Sequence, residues 1–168
     1  MARCSAVSTI HGLFTGNWAA EGVARYHLMV PAPADSPLAV VQSFASTLSE
    51  DPGADPLGTR EDAAAWLHAA GVLAAEAGLT NSEHAALLRM REALRDVLAA
   101  HADGRKDAAA AERLTRALAE GRLVVVVDTA STVRLASAAR ASYPGLVATF
   151  AVAIADAAAA GTWPGLTS

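Results

Sequence analysis

Cysteine is almost missing from this sequence. Of 168 residues only Cys4 carries a thiol, which excludes an intrachain disulfide and a thiolate zinc cluster built within the chain. Such sparse cysteine fits a reducing, cytoplasmic location. Aromatic residues make up 5% of the chain against a hydrophobic fraction of 53%, so Ala, Leu and Val carry the apolar content and helices packed through small side chains are expected. A basic excess is also lacking. The net charge of −4 argues against the phosphate-neutralising footprint of a nucleic-acid binder, and direct nucleic-acid binding by this chain is not expected. The longest apolar run, Leu146 to Ala155, is broken by Thr149, followed by Asp156 and bounded by Pro144 and Gly161. It is too short and too alanine-rich to span a bilayer, so no membrane partner is expected. The opening "MARCSAVSTIHGLF" is interrupted by His11 and Gly12 and makes a weak secretory segment.

Motifs that would announce a reaction are scarce too. His11, His27, His68, His84 and His101 include no pair at the three- or four-residue spacing that converges two metal ligands on a helix face, and no metal or other cofactor is expected. There is no G-x-S-x-G elbow, and Ser43, Ser46, Ser49 and Ser137 have no base partner that sequence can assign. The glycines of "GADPLGTRED" lack the lysine and the spacing of a phosphate-binding loop. An enzymatic role is therefore not expected, although a site assembled from distant residues would escape this reading.

What is present is helical periodicity followed by a change of period. At 168 residues one core is expected, with residues 1–24 as a loosely ordered extension and 25–168 as a single domain. "RYHLMV" (25–30) is a short strand candidate that stops at Pro31 and Pro33. Pro37 suits a first helical turn, and Leu38, Val41, Phe44, Ala45 and Leu48 recur at helical spacing, which predicts a helix over about 37–49. A second helix begins at the N-cap Thr59, places Glu61 and Asp62 in its first turn, buries Trp66, Leu67 and Ala70, and ends near Gly71. Thr80 and Glu83 form a capping-box pattern before the longest helix, whose stripe is Leu87, Met90, Leu94, Val97 and Leu98 and whose end is Asp103-Gly104. A further helix over 107–121 is stopped by Gly121.

The run "RLVVVVD" (122–128) and the alternating "TVRLAS" (132–137) predict an antiparallel hairpin, with the first strand the more deeply buried because it has no polar face. A last helix over 143–161 lines up Leu146, Phe150, Ile154 and Ala158. The fold class is α+β: about five helices packed with a small, mostly antiparallel sheet that includes a hairpin at about 122–137.

Charge is unevenly placed. Glu50, Asp51, Asp55, Glu61, Asp62, Glu76 and Glu83 face only Arg60 in residues 50–83, whereas bases outnumber acids over 84–140. The helix pair spanning "AAAWLHAAGVLAAEAGLTNSEHAALLRMR" is compatible with helix-turn-helix geometry, but "TNSEHAA" offers no arginine where a recognition helix would start, and structural helices are the favoured reading. Arg89, Arg91 and Arg95 are more informative. Positions 91 and 95 share a helix face and could clamp an anion, or pair instead with Glu92, Asp96 and the acids of the second helix.

In order and spacing, "DPLGTREDAAAWL" (55–67), "LLRMREALRDVL" (87–98), the short helix, the hairpin and the last helix resemble the ABATE domain over roughly residues 25–168. That domain is the N-terminal part of bacterial CGNR zinc-finger proteins, a family assigned to stress-induced transcription regulation. The resemblance implies a regulatory domain. Where the family has an "ALDFVNT"-like first helix, this chain reads "VQSFAST" (41–47), with Ser43 and Ser46 at the family's Asp and Asn and only Thr47 retained. The family also continues into a cysteine-rich DNA-binding segment, and this chain ends on "AAAAGTWPGLTS" without those cysteines. The fold is expected to be complete and the zinc-finger function absent from these residues.

The leading expectation is thus a sensor or interaction domain. A small anionic ligand would sit near Thr47, Trp66, Arg91 and Arg95, with Trp66 as an apolar wall and the arginines as a grip. The alternatives are a small-molecule-binding protein or enzyme whose site sequence does not reveal, and a module whose partner is a second copy of itself.

Overall fold

A computed structural model describes residues 36–47, 55–139 and 142–163. The strand expected at 25–30, the extension at 1–24, Leu48 and the Pro164-Gly165 turn lie outside the described residues. The described residues form five helices and one two-stranded antiparallel sheet, an α+β arrangement. In chain order these are α1 (Pro37–Ala45), α2 (Arg60–Ala69), α3 (Asn81–Ala102), α4 (Ala108–Leu118), β1 (Leu123–Val127), β2 (Val133–Ser137) and α5 (Tyr143–Ala159).

Four of the five helices start where a side-chain oxygen caps their orphan amides, and α5 begins after Ser142 without such a bond. Ser36, Thr59, Thr80 and Asp107 accept from backbone N–H groups two or three residues on, and Thr80 with Glu83 closes a reciprocal capping box. α3 ends at Gly104, whose φ of +65° lets Gly104 and Arg105 N–H groups fold back on the carbonyls of His101 and Ala100.

The core lies between α1, α3 and α5. Phe44 of α1 meets Phe150 of α5 edge-on at 5.0 Å and tilts against Trp66 of α2 at 6.0 Å between ring centroids. Leu87, Met90, Leu94, Val97 and Leu98 of α3 are all buried, as their spacing predicts. On α5 the buried stripe is Leu146, Val147, Phe150, Ala153 and Ala157, while Ile154 is only half-buried and Ala158 is exposed. Four-residue steps overshoot a 3.6-residue turn by about 40° each, so a row drawn at constant fours drifts off the core face within two turns.

Two further expectations are corrected. Gly121 does not cap α4, which closes at Ala119. It lies against the next layer instead, where a Cβ would stand 2.8 Å from the Ala148 backbone nitrogen, so only glycine allows the chain to cross α5 this closely. Strand β1 is not deeply buried either: Val125 and Val127 are 64% and 62% exposed. Contacts between the hairpin and α5 run through β2, so β1 is the outer strand and its apolar side chains are left in solvent.

Candidate functional site

The 55–67 motif is a turn followed by a capped helix. The Asp55 carbonyl accepts from Gly58 N–H at 2.9 Å, and its carboxylate accepts from Leu57 N–H at 2.9 Å. This Asx-type turn holds the acid in one orientation. Leu57 is fully buried, and its carbonyl lies 2.8 Å from His84 Nε2, which can only donate to it. Thr59 then caps α2, and Ala63, Trp66 and Leu67 enter the core.

Into this turn reaches Arg91, whose side chain is 5% exposed. Its Nη1 and Nη2 donate to Asp55 Oδ1 and Oδ2 at 2.7 and 2.9 Å, Nη1 also meets Thr47 Oγ1 at 3.3 Å, and Nε donates to Glu92 at 3.0 Å. Thr47 Oγ1 in turn donates to the Phe44 carbonyl at 2.8 Å, which anchors the end of α1 to the cluster. Burial alone would raise the Asp55 pKa, but the hydrogen bonds and charge of Arg91 and the Leu57 amide outweigh it and hold the carboxyl below its usual range. Burial likewise opposes the Arg91 charge, and Asp55 more than compensates.

The candidate residues are therefore only partly brought together. Thr47 and Arg91 touch, and the acid that joins them, Asp55, was not singled out from sequence although it opens the 55–67 motif. Arg95 turns to Glu92, with its Nη1 at 3.8 Å. Trp66 is 3% exposed, packed into the core, and its indole nitrogen has no partner among the described residues. Asp96 pairs with Arg113 of α4 at 2.7 Å, not with a helix-mate. His68 meets the Ala77 carbonyl at 2.7 Å, and among the described residues no group of three or more His, Cys, Asp and Glu gathers as a metal site would require.

On the other flank of Arg91, a groove of about 770 Å³ opens between α3, α4 and the first turn of α5. Ala86, Leu88, Ala93 and Ala117 give it aliphatic walls, and Arg89, Arg113, Arg116, Glu92 and Glu120 surround it. Tyr143 closes one end. Burial, reinforced by Glu120, pushes its phenol up to about 12, so it stays neutral and able to donate a hydrogen bond. Arg113 and Arg116 are shared with Asp96 and Glu112 in exposed pairs, whereas Arg89 forms no ion pair among the described residues. Of the groove's charged residues the sequence marked Arg89, Arg91 and Glu92 on α3; the approach of α4 to α3 supplies Arg113 and Arg116.

The ABATE family, described as "Putative stress-induced transcription regulator", matches residues 38–161. That is most of the described structure, and the chain belongs to this family. No curated protein and no solved structure matches the chain. Among the described residues no helix is long and apolar enough to cross a membrane.

Proposed function

We propose that the chain is the regulatory part of a cytoplasmic stress-responsive transcription regulator, that it works by binding rather than catalysis, and that DNA contact is made outside these residues. The observation that carries the ligand-sensing reading is the groove between α3 and α4. Four arginines and two glutamates border an aliphatic cleft in a protein of net charge −4, in the volume range of a small-molecule site. The ligand class is a small anion with an apolar body. Its acidic group would take Arg89 and the exposed pairs of Arg113 and Arg116, which cost little to rearrange. Its body would lie on the alanines.

In this reading Arg91 lines the groove, held in place from behind by Asp55 and Thr47, whereas Trp66 and Arg95 do not line it. A thermal-shift screen with inorganic phosphate, aryl phosphates and aromatic carboxylates tests it. Saturation at a hundred times Kd stabilises by about 2.7 kcal/mol. Arg89→Ala with Arg116→Ala is expected to abolish the shift. No shift from any compound, or one that survives both changes, removes the ligand.

A second reading, a homodimerisation module, is favoured by the exposed aliphatic face of the hairpin, where Val125, Val127 and Val133 are each more than 60% exposed. A solution mass twice that of the chain, lost on Val125→Thr with Val133→Thr, supports it.

A further inference from the structure

Strand β1 is an unbroken aliphatic run, Leu123 to Val127, with no charge, proline or bulge to blunt its outer edge. Its strand neighbour among the described residues is β2 alone. Such edges recruit another strand, because their amides and carbonyls stand unpaired beside apolar side chains. Which groups point outward follows from the ladder. Ala138 N–H donates to the Arg122 carbonyl at 2.8 Å and Asp128 N–H to the Thr132 carbonyl at 3.1 Å, and bonded pairs alternate in an antiparallel ladder. Arg122, Val124, Val126 and Asp128 therefore spend their peptide groups on β2, while Leu123, Val125 and Val127 direct theirs to the outer edge. The side chains of those three share one face with Val133 and Leu135, and all five are exposed.

The strand is also balanced in charge about its centre. Arg122 stands three residues before Val125 and Asp128 three residues after it. A second copy of β1 laid antiparallel, with Val125 on the two-fold axis, sets Val125 against itself, Leu123 against Val127, and Arg122 against Asp128 at both ends. In this register outward peptide groups meet outward peptide groups, and both charged pairs fall at non-bonded positions, where side chains approach most closely. Shifts of two residues, the smallest that keep outward groups facing, lose this match: they bring Asp128 opposite Glu120 or Val124, and Arg122 opposite Val126 or Ala130. Both charges have capacity to spare. Arg122 makes no ion pair among the described residues, and Asp128 engages only Oδ1 there, accepting from the Ala130 and Thr132 amides at 2.8 and 2.9 Å.

We propose that two copies of this chain join β1 to β1 in that register and form one four-stranded antiparallel sheet. A lone hairpin is marginal in water, and two hairpins joined at their edges pass the strand number at which a sheet becomes independently stable. The balance of charge about Val125 selects a second copy over an unrelated strand, since a two-fold interface must be complementary to itself. The pairing rests on the homodimer reading and narrows it from an aliphatic face to a defined strand edge.

Disulfide cross-linking of the full chain in a Cys4→Ser background, alongside solution mass, tests this. Bonded antiparallel partners lie about 5.5 Å apart between Cα atoms, within disulfide reach, whereas position 123 or 127 would lie about 14 Å from its own copy. Under mild oxidation Val125→Cys is expected to cross-link by itself, and Leu123→Cys and Val127→Cys only when the two variants are mixed and exchange subunits. Arg122→Asp, which sets acid against acid, is expected to raise the dimer dissociation constant about tenfold or more. A mass equal to one chain, with no cross-link in any variant, overturns the pairing and the homodimer reading together. A mass of two chains with Val127→Cys cross-linking by itself, or with no cross-link between mixed Leu123→Cys and Val127→Cys, overturns the edge pairing and leaves the homodimer reading standing. So does an Arg122→Asp dimer as tight as that of the unaltered chain.

Discussion

Arg91 and Asp55 face each other in a two-pronged ion pair across 36 residues of sequence, with the arginine side chain 5% exposed and the acid 21% exposed. Thr47 sits on the same guanidinium, so the end of α1, the turn before α2 and the middle of α3 are tied at one point. The Thr retained from the family's first helix is thus the residue that meets the buried arginine.

Removing one member of this pair leaves the other charge without its partner. Asp55→Ala is expected to cost about 2–4 kcal/mol in urea unfolding, somewhat under a fully buried pair because the acid is partly exposed. Replacing both, as in Asp55→Leu with Arg91→Met, should recover most of that loss. Equal destabilisation by the double variant would assign the cost to packing.

The pair also sets an acid limit. The folded-state pKa of Asp55 is depressed, so its contribution is present above the ordinary value of 3.8 and lost as pH falls below it through the folded pKa. Stability measured from pH 5 to pH 2 should fall less steeply in Asp55→Asn than in the unaltered chain. Parallel curves would count against the assignment.

Tyr143 sets the corresponding alkaline limit. Its pKa is raised from 10.0 to about 12, so the stability it contributes is complete below pH 10 and is lost as pH rises from there toward 12. Phenolate absorbance should show one tyrosine titrating near 12, and Tyr143→Phe should remove that step and soften the alkaline loss.

Gly121→Ala should destabilise by about 1–3 kcal/mol, because its Cβ meets the Ala148 backbone and not a movable side-chain tip. Thermal unfolding of this variant beside Gly78→Ala, where a Cβ meets nothing within 4 Å, separates crowding from any general effect of the exchange.

The drift of α5 can be checked the same way. Ala153→Leu forces three carbons into a packed face and should lower stability, whereas Ala158→Leu, on the exposed side, should change it by less than about 0.5 kcal/mol. Equal effects would mean that the last helix is rotated from the orientation described.

Local chemistry made most of this fold legible. A cap or a periodic stripe depends on residues a few positions apart, so Ser36, Thr59, Thr80 and the α3 stripe could be read directly from the chain. The 55–67 motif was visible as a pattern, but its leading acid could not be matched to an arginine 36 residues away. Exposure of β1 was illegible for a related reason: a run of valines records an appetite for burial, and which strand faces a helix is decided by the layer that arrives later in the chain.

By itself, then, the sequence determined the class of the fold, the helix starts, the hairpin with its register-setting turn, and the family, since each rests on short-range propensity or ordered motifs. Only the tertiary structure decided that Asp55 occupies Arg91, that α3 and α4 enclose an arginine-lined groove, and that Gly121 passes against Ala148. Those are contacts between distant segments, and their geometry is fixed by how whole helices pack rather than by any residue's neighbours in the chain.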